Sequence, residues 1–188
     1  LDFEDGPSLA EWRASLGRPP RQDELDRITS LMIDAVEVVH NGGILHRDIK
    51  PQNIIMRGGT EPILIDFGAA RASLGQRSKT VHAIVTPGYS PKEQYALDVD
   101  RQGAWSDIYA LSATMYHAIM GRPPEEASAR QLQDNMLPIE EHMDPNNKSR
   151  YHPSFLKGLN AGLTLSPRKR PATIEALREI IYEGRTAE

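Results

Sequence analysis

Between Ser106 and Met120 the chain offers almost no polar face: Ile108, Tyr109, Ala110, Leu111, Ala113, Met115, Tyr116, Ala118 and Ile119 go all the way round a helical axis. A helix that is apolar on every side must be enclosed by other elements. The stretch therefore predicts the centre of a helical bundle. Candidates to enclose it are present. Gln22 to His40 carries Leu25, Ile28, Met32, Ala35, Val36 and Val39 at helical spacing, and Asn41-Gly42-Gly43 stops it. Ser8 is placed to cap a helix running to about Leu16, which Gly17-Arg18-Pro19-Pro20 ends. Ser154 to Leu163 and Ala172 to Tyr182 add further helices, the latter with Ile174, Leu177 and Ile181 on one face. Ile54-Ile55-Met56 and Ile63-Leu64-Ile65 flank Arg57-Gly58-Gly59-Thr60 and predict a small β-hairpin. The expected class is mainly α with that hairpin, in one domain, which 188 residues accommodate.

Composition narrows the functions open to such a fold. An apolar fraction of 39% and a charged fraction of 26% belong to an ordinary folded protein. A net charge of -4 argues against a reader of phosphate backbones, so nucleic acid is not an expected partner. With no cysteine there is no disulfide framework, thiol nucleophile or cysteine-ligated zinc, and a reducing cytoplasm fits. No apolar run approaches the roughly 20 residues needed to span a bilayer, so membrane insertion of this chain is not expected.

The polar signals cluster beside the hairpin. His46-Arg47-Asp48-Ile49-Lys50-Pro51-Gln52-Asn53 lies between the long amphipathic helix and the first strand. A lone His-Arg-Asp tripeptide more often just caps backbone groups. Here Lys50, Pro51 and Asn53 follow at fixed offsets. Asp66-Phe67-Gly68 follows the second strand. By itself it reads as a turn, but a short hairpin returns Asp66 to the edge that carries Asp48. Residues 69–94 are irregular and polar, too long for an idle connection. They end in Thr86-Pro87-Gly88-Tyr89 and Glu93-Gln94. Ser106-Asp107-Ile108-Tyr109 opens the apolar helix, where an acid suits the helix dipole. Pro167-Arg168-Lys169-Arg170-Pro171 lies further on, with Arg168 and Lys169 read as a solvated basic turn.

In this order the motifs resemble the larger lobe of eukaryotic-type (Hanks-type) serine/threonine protein kinases, in phrasing closest to bacterial members. The catalytic-loop pattern H-R-D-L-x-x-x-N is met with Ile49 for Leu. The resemblance implies a kinase C-lobe with residues 1–8 as a hinge remnant, 44–56 as catalytic loop and strand, 66–94 as activation and substrate-docking segment and 95–188 as helical subdomain. It implies ATP and Mg2+ (or Mn2+) as cofactors. Asp48, Lys50 and Asn53 would be catalytic; Ile55, Asp66, Lys50 and Asn53 would contact nucleotide; Asn53 and Asp66 would hold the metal. Thr86, Gly88 and Tyr89 would dock a protein substrate. His46, Arg47, Phe67, Glu93, Asp107 and Arg170 would support them, with Glu93 paired to Arg170 and Asp107 accepting backbone hydrogen bonds from the catalytic loop. Ser78 and Thr80 are candidate phosphosites able to pair with Arg47. Lys92 departs from the Ala-Pro-Glu of the family, and Ser112 replaces its usual Gly, a change expected to be harmless.

No G-x-G-x-x-G loop, V-A-I-K-like strand or Glu-bearing partner helix precedes Asp48. The expectation is a chain inactive without its N-lobe, which would be a partner in the parent polypeptide, with self-association through surface around Phe3, Ile55 and Ile63. Two other readings stand beside this one. A pseudokinase or scaffold binding module would use the fold without chemistry. A small-molecule phosphotransferase is disfavoured by the Thr-Pro-Gly-Tyr docking segment.

Overall fold

The computed structural model describes residues 5–66, 85–95 and 101–185. Helix α1 (Leu9–Ser15) starts at Ser8, whose Oγ accepts the Glu11 N–H while the Glu11 carboxylate accepts the Ser8 N–H, a reciprocal cap. Helix α2 (Gln22–Asn41) buries Leu25, Ile28, Met32, Ile33 and Val36 along one stripe. Strands β1 (Ile54–Arg57) and β2 (Glu61–Leu64) pair antiparallel, with Ile54 opposite Leu64 and Arg57 opposite Glu61. Gly58 and Gly59, both in the left-handed region, make the turn. The strand at Glu61 begins earlier than its apolar run suggests, because the register places Pro62 opposite Met56 on an edge that needs no donor.

The chain before α1 is laid against this hairpin. Met56 N–H donates to the Pro7 carbonyl at 2.8 Å, and Ser8 bridges to Ile55. A short α3 (Lys92–Tyr95) then precedes α4 (Ala104–Met120), which is buried from Ser106 to Tyr116 and at Ala118 and Ile119, as its all-round apolar pattern requires. Short helices α5 (Ala127–Leu132), α6 (Ile139–His142) and α7 (Pro145–Lys148) follow in a stretch with no helical periodicity in its sequence. Helices α8 (Pro153–Gly162) and α9 (Ile174–Ile181) complete the bundle. The last begins at Ile174 rather than Ala172 because Thr173 Oγ1 accepts the Ala176 N–H as its cap. Arg178 of α9 reaches Asp34 and Glu37 of α2 at 2.7 and 2.8 Å. Among the described residues no helix is long and apolar enough to cross a membrane.

The contact between α4 and α8 corrects one expectation. Ser112 is fully buried against Gly162, and its Oγ has no hydrogen-bond partner among the described residues. A buried hydroxyl left unpaired carries its desolvation cost, so this Ser is not neutral. A Cβ at position 162 would lie 2.9 Å from Ser112 Cβ, which explains a glycine as the last residue of α8 despite its poor helix propensity. Ser112→Ala is expected to raise stability by about 1 kcal/mol, and Gly162→Ala to lower it by about 1–3 kcal/mol through overpacking. Urea unfolding of both variants checks the signs.

Candidate functional site

Asp107, in the first turn of α4, has no solvent exposure. Its Oδ1 accepts the Arg47 N–H at 2.8 Å, its Oδ2 accepts the His46 N–H at 2.8 Å, and His40 Nε2 lies 2.9 Å from Oδ2. Hydrogen bonds to a carboxylate are about twice as strong as neutral ones. The restraint is needed locally, because Arg47 adopts φ 68°, a conformation costing of order 1–3 kcal/mol for a residue with a Cβ. From the other side, Gln94 Nε2 donates to the Arg47 carbonyl at 2.5 Å. The peptide groups on both sides of Arg47 are thus fixed.

His46 links this loop to the end of the hairpin. Its Nδ1 accepts the Asp48 N–H at 3.3 Å, so Nε2 carries the hydrogen and donates to the Ile65 carbonyl at 3.1 Å. Ile65 N–H in turn donates to the Asn53 carbonyl at 2.9 Å. Burial holds the His46 pKa below its ordinary value, against the opposing pull of the Asp107, Asp48 and Asp66 carboxylates. One ring therefore feels both Asp48 and Asp66. Asp66 itself is exposed and held at φ 63°.

Around Asp48 the side chains close into a compact set. Oδ2 lies 2.8 Å from Lys50 Nζ and 2.9 Å from Asn53 Nδ2, and Oδ1 accepts the Thr86 hydroxyl at 2.9 Å. Lys50 Nζ also reaches Thr86 Oγ1 at 3.3 Å, and Asn53 Nδ2 the Asp48 carbonyl at 2.8 Å. With its nitrogen committed, Asn53 presents Oδ1 as the end a cation would take. Asn53 Oδ1 and the Asp66 carboxylate are hard oxygen donors, which fits Mg2+ or Mn2+. Among the described residues no group of three or more His, Cys, Asp and Glu side chains gathers as a metal cage. A site with few protein ligands is the usual arrangement for Mg2+, which keeps waters and phosphate oxygens as ligands.

Residues 85–95 are pinned beside this set. Thr86 N–H donates to Ser90 Oγ at 2.9 Å, while its carbonyl accepts the Tyr89 and Ser90 N–H groups at 3.0 Å. Gly88, at φ +84°, sits against Pro123, where a Cβ would come within 2.8 Å of the proline Cβ. Beyond it, Glu93 receives Arg170 through both oxygens at 2.6 and 3.1 Å and the Ser106 hydroxyl at 3.0 Å. The remaining Arg170 N–H groups go to the carbonyls of Thr164, Leu165 and Trp105, and the guanidinium stacks 4.9 Å from the Tyr109 ring centroid. Arg168 and Lys169 are exposed, as a solvated turn should be.

The expected site residues Asp48, Lys50, Asn53 and Thr86 are thus in mutual contact, with Asp66 tied to them through His46 and Ile65. Ile55 is half-buried on β1. Phe67, Ser78 and Thr80 lie outside the described residues. Sequence reasoning assigned no role to His40, Gln94, Ser90, Ser106 or His117, all of which hold the site's backbone or side chains. Their only signal is a polar residue next to a motif or late in an apolar helix.

Comparison with known proteins places these contacts in context. The family "Protein kinase domain" matches residues 3–180. The chain is similar to serine/threonine-protein kinase D of Synechocystis, at 30% identity over 87% of this chain and 32% of that protein. It is also similar to serine/threonine-protein kinase PknA of Nostoc, at 34% identity over 81% of this chain and 27% of that protein. It therefore spans about a third or less of these relatives' length. A solved structure titled "PpkA-294 apo form" superposes with a TM-score of 0.79 and 32% identity, covering 95% of this chain and 61% of that one.

Two outcomes follow from the geometry. Glu93→Ala strands a buried guanidinium and is expected to cost about 3–5 kcal/mol in chemical denaturation. The His46 pKa is depressed by folding, so its contribution is intact above the unfolded value of about 6.5 and is lost as pH falls below that. Urea unfolding at pH 7 and 5 should show that loss, and His46→Gln should lessen it.

Proposed function

Because the chain belongs to the protein kinase family, of whose fold it forms the C-terminal part, we propose that it is the catalytic lobe of an enzyme transferring the ATP γ-phosphate to Ser or Thr hydroxyls of proteins. The observation that carries this reading is the Asp48 carboxylate, aligned by Lys50, Asn53 and Thr86. In phosphoryl transfer the protein chiefly positions groups and stabilises charge. Asp48 orients the attacking hydroxyl and accepts its proton. Lys50, 2.8 Å from Asp48, brings a cation to the same point and offsets charge on the transferred phosphoryl group. Mg2+ held with ATP by Asn53 and Asp66 would neutralise the phosphate oxygens. Ile55 would contact the nucleotide, and Thr86, Gly88 and Tyr89 would seat the substrate chain.

The 188 residues contain no Gly-rich phosphate loop. By themselves they are therefore proposed to bind Mg-ATP weakly and to turn over little, acting with an N-lobe in the natural polypeptide. The same lack supports the second reading, a scaffold that uses the fold without chemistry. Regulation is proposed through Arg47, whose Nε is buried with no hydrogen-bond partner among the described residues. A phosphate on Ser78 or Thr80 would supply bidentate acceptors for it. Half-buried Ile55 and Ile63 on the hairpin make self-association of the isolated chain a further proposal, and the cytoplasm is the proposed location.

In the natural full-length polypeptide, Asp48→Asn is expected to reduce phosphotransfer to a generic basic protein by about 10²–10⁴-fold while ATP binding is kept. Unchanged turnover in that variant would remove Asp48 from the chemistry. Brisk turnover by the 188-residue chain itself would refute the requirement for an N-lobe.

A further inference from the structure

The docking segment touches the last turn of α4 and the chain just beyond it at adjacent points. Gly88 lies against Pro123 and the Pro124 carbonyl, and the Tyr89 hydroxyl lies 2.5 Å from His117 Nδ1. The two rings stack with centroids 6.1 Å apart and planes 20° from parallel. Tyr89 is 6% exposed, and among the described residues its hydroxyl has no other hydrogen-bond partner. Burial pushes its pKa up to about 12, so the phenol keeps a hydrogen that needs an acceptor. A neutral imidazole with its hydrogen on Nε2 supplies that acceptor at Nδ1.

We propose that neutral His117 is a positioning residue for the docking segment: its Nδ1 holds the Tyr89 hydroxyl, and protonating the ring releases residues 85–90 from α4. An imidazolium carries N–H at both nitrogens and has no lone pair to offer, so Nδ1–H can only donate to the phenol oxygen, and the buried phenol hydrogen is left without an acceptor, which weakens the contact. Two titratable groups face His117, and the charged one opposes its protonation. From the docking segment comes the neutral phenol of Tyr89. From α1 comes Arg13, whose Nε donates to the Ala118 carbonyl at 2.5 Å, next to His117. Burial, and then Arg13, hold the His117 pKa below its ordinary value, and no carboxylate among the described residues counters them. A ring that titrates lower when docked than when free favours docking above the free value of about 6.5 and weakens it as pH falls below that.

The contact belongs to this chain alone, and only its consequence for substrate binding rests on the kinase reading. It is tested without turnover, by NMR titration of the His117 ring and amide-exchange protection of Tyr89 and Ser90 in the 188-residue chain, corrected for intrinsic exchange. His117→Leu and Tyr89→Phe should each lower protection about five- to tenfold at pH 7.5, with the double variant no lower than either single one. His117→Gln, whose amide oxygen accepts the phenol at any pH, should keep wild-type protection and abolish the fall between pH 7 and 5.5. The proposal is overturned if His117→Gln falls with pH as the wild type does, or if Tyr89→Phe retains full protection. Thermal unfolding identifies any variant that fails to fold, and the remaining ones decide. A failed phosphotransfer assay would count against the kinase reading and leave this result standing.

Discussion

The Asp107 carboxylate lies where water does not reach, and its oxygens serve the His46 and Arg47 amides and the His40 ring together. Each of these donors would otherwise be left with its hydrogen-bonding capacity partly unmet in a closed interior, which costs more than the hydrogen bond gains. The loop from His46 to Asn53 consequently cannot drift relative to α4 without exposing several such costs at once. Everything at the exposed edge is registered against that anchor. His46 passes it on to Ile65, Ile65 to Asn53, and Asn53 to Asp48, in an unbroken series of hydrogen bonds.

A second anchor, Glu93 with Arg170, holds residues 85–95 from the opposite side. It meets the conditions under which a buried ion pair is tolerated: every N–H of the guanidinium has an acceptor, and the ring of Tyr109 covers its face. Between the anchors the backbone takes conformations it would not choose alone. Arg47 and Asp66 are the non-glycine residues with positive φ among the described positions, and both flank the Asp48 carboxylate's surroundings. Local strain at these points is sustained by the buried networks on either side.

Much of this is legible in the sequence, and the reason differs from part to part. The all-round apolar run from Ser106 to Met120 and the stripe on α2 specify buried and half-buried helices, because periodicity directly reports which faces meet solvent. Asp48, Asn53, Asp66, Glu93 and Arg170 are legible because they sit in motifs with fixed spacing. The residues that hold them are not. His40 reaches Asp107 across 67 positions and Gln94 reaches Arg47 across 47, and no local pattern announces a polar side chain whose partner is that remote. The burial cost at Ser112 is similarly invisible, since it arises only when Gly162 of a different helix lies on top of it. Short helices between Ala127 and Lys148 follow from tertiary packing rather than from propensity.

The span of these anchors bears on how the lobe comes into being. Asp107 lies 61 positions after His46, and Arg170 lies 77 after Glu93. During synthesis the polar loop therefore emerges well before the carboxylate that shapes it, and residues 85–95 emerge before the guanidinium that holds them. Contacts of such long range are made late, after loop closure has been overcome. A nascent chain thus carries these polar side chains in sequence before it holds them in space, and their arrangement is complete only once Arg170 has been made.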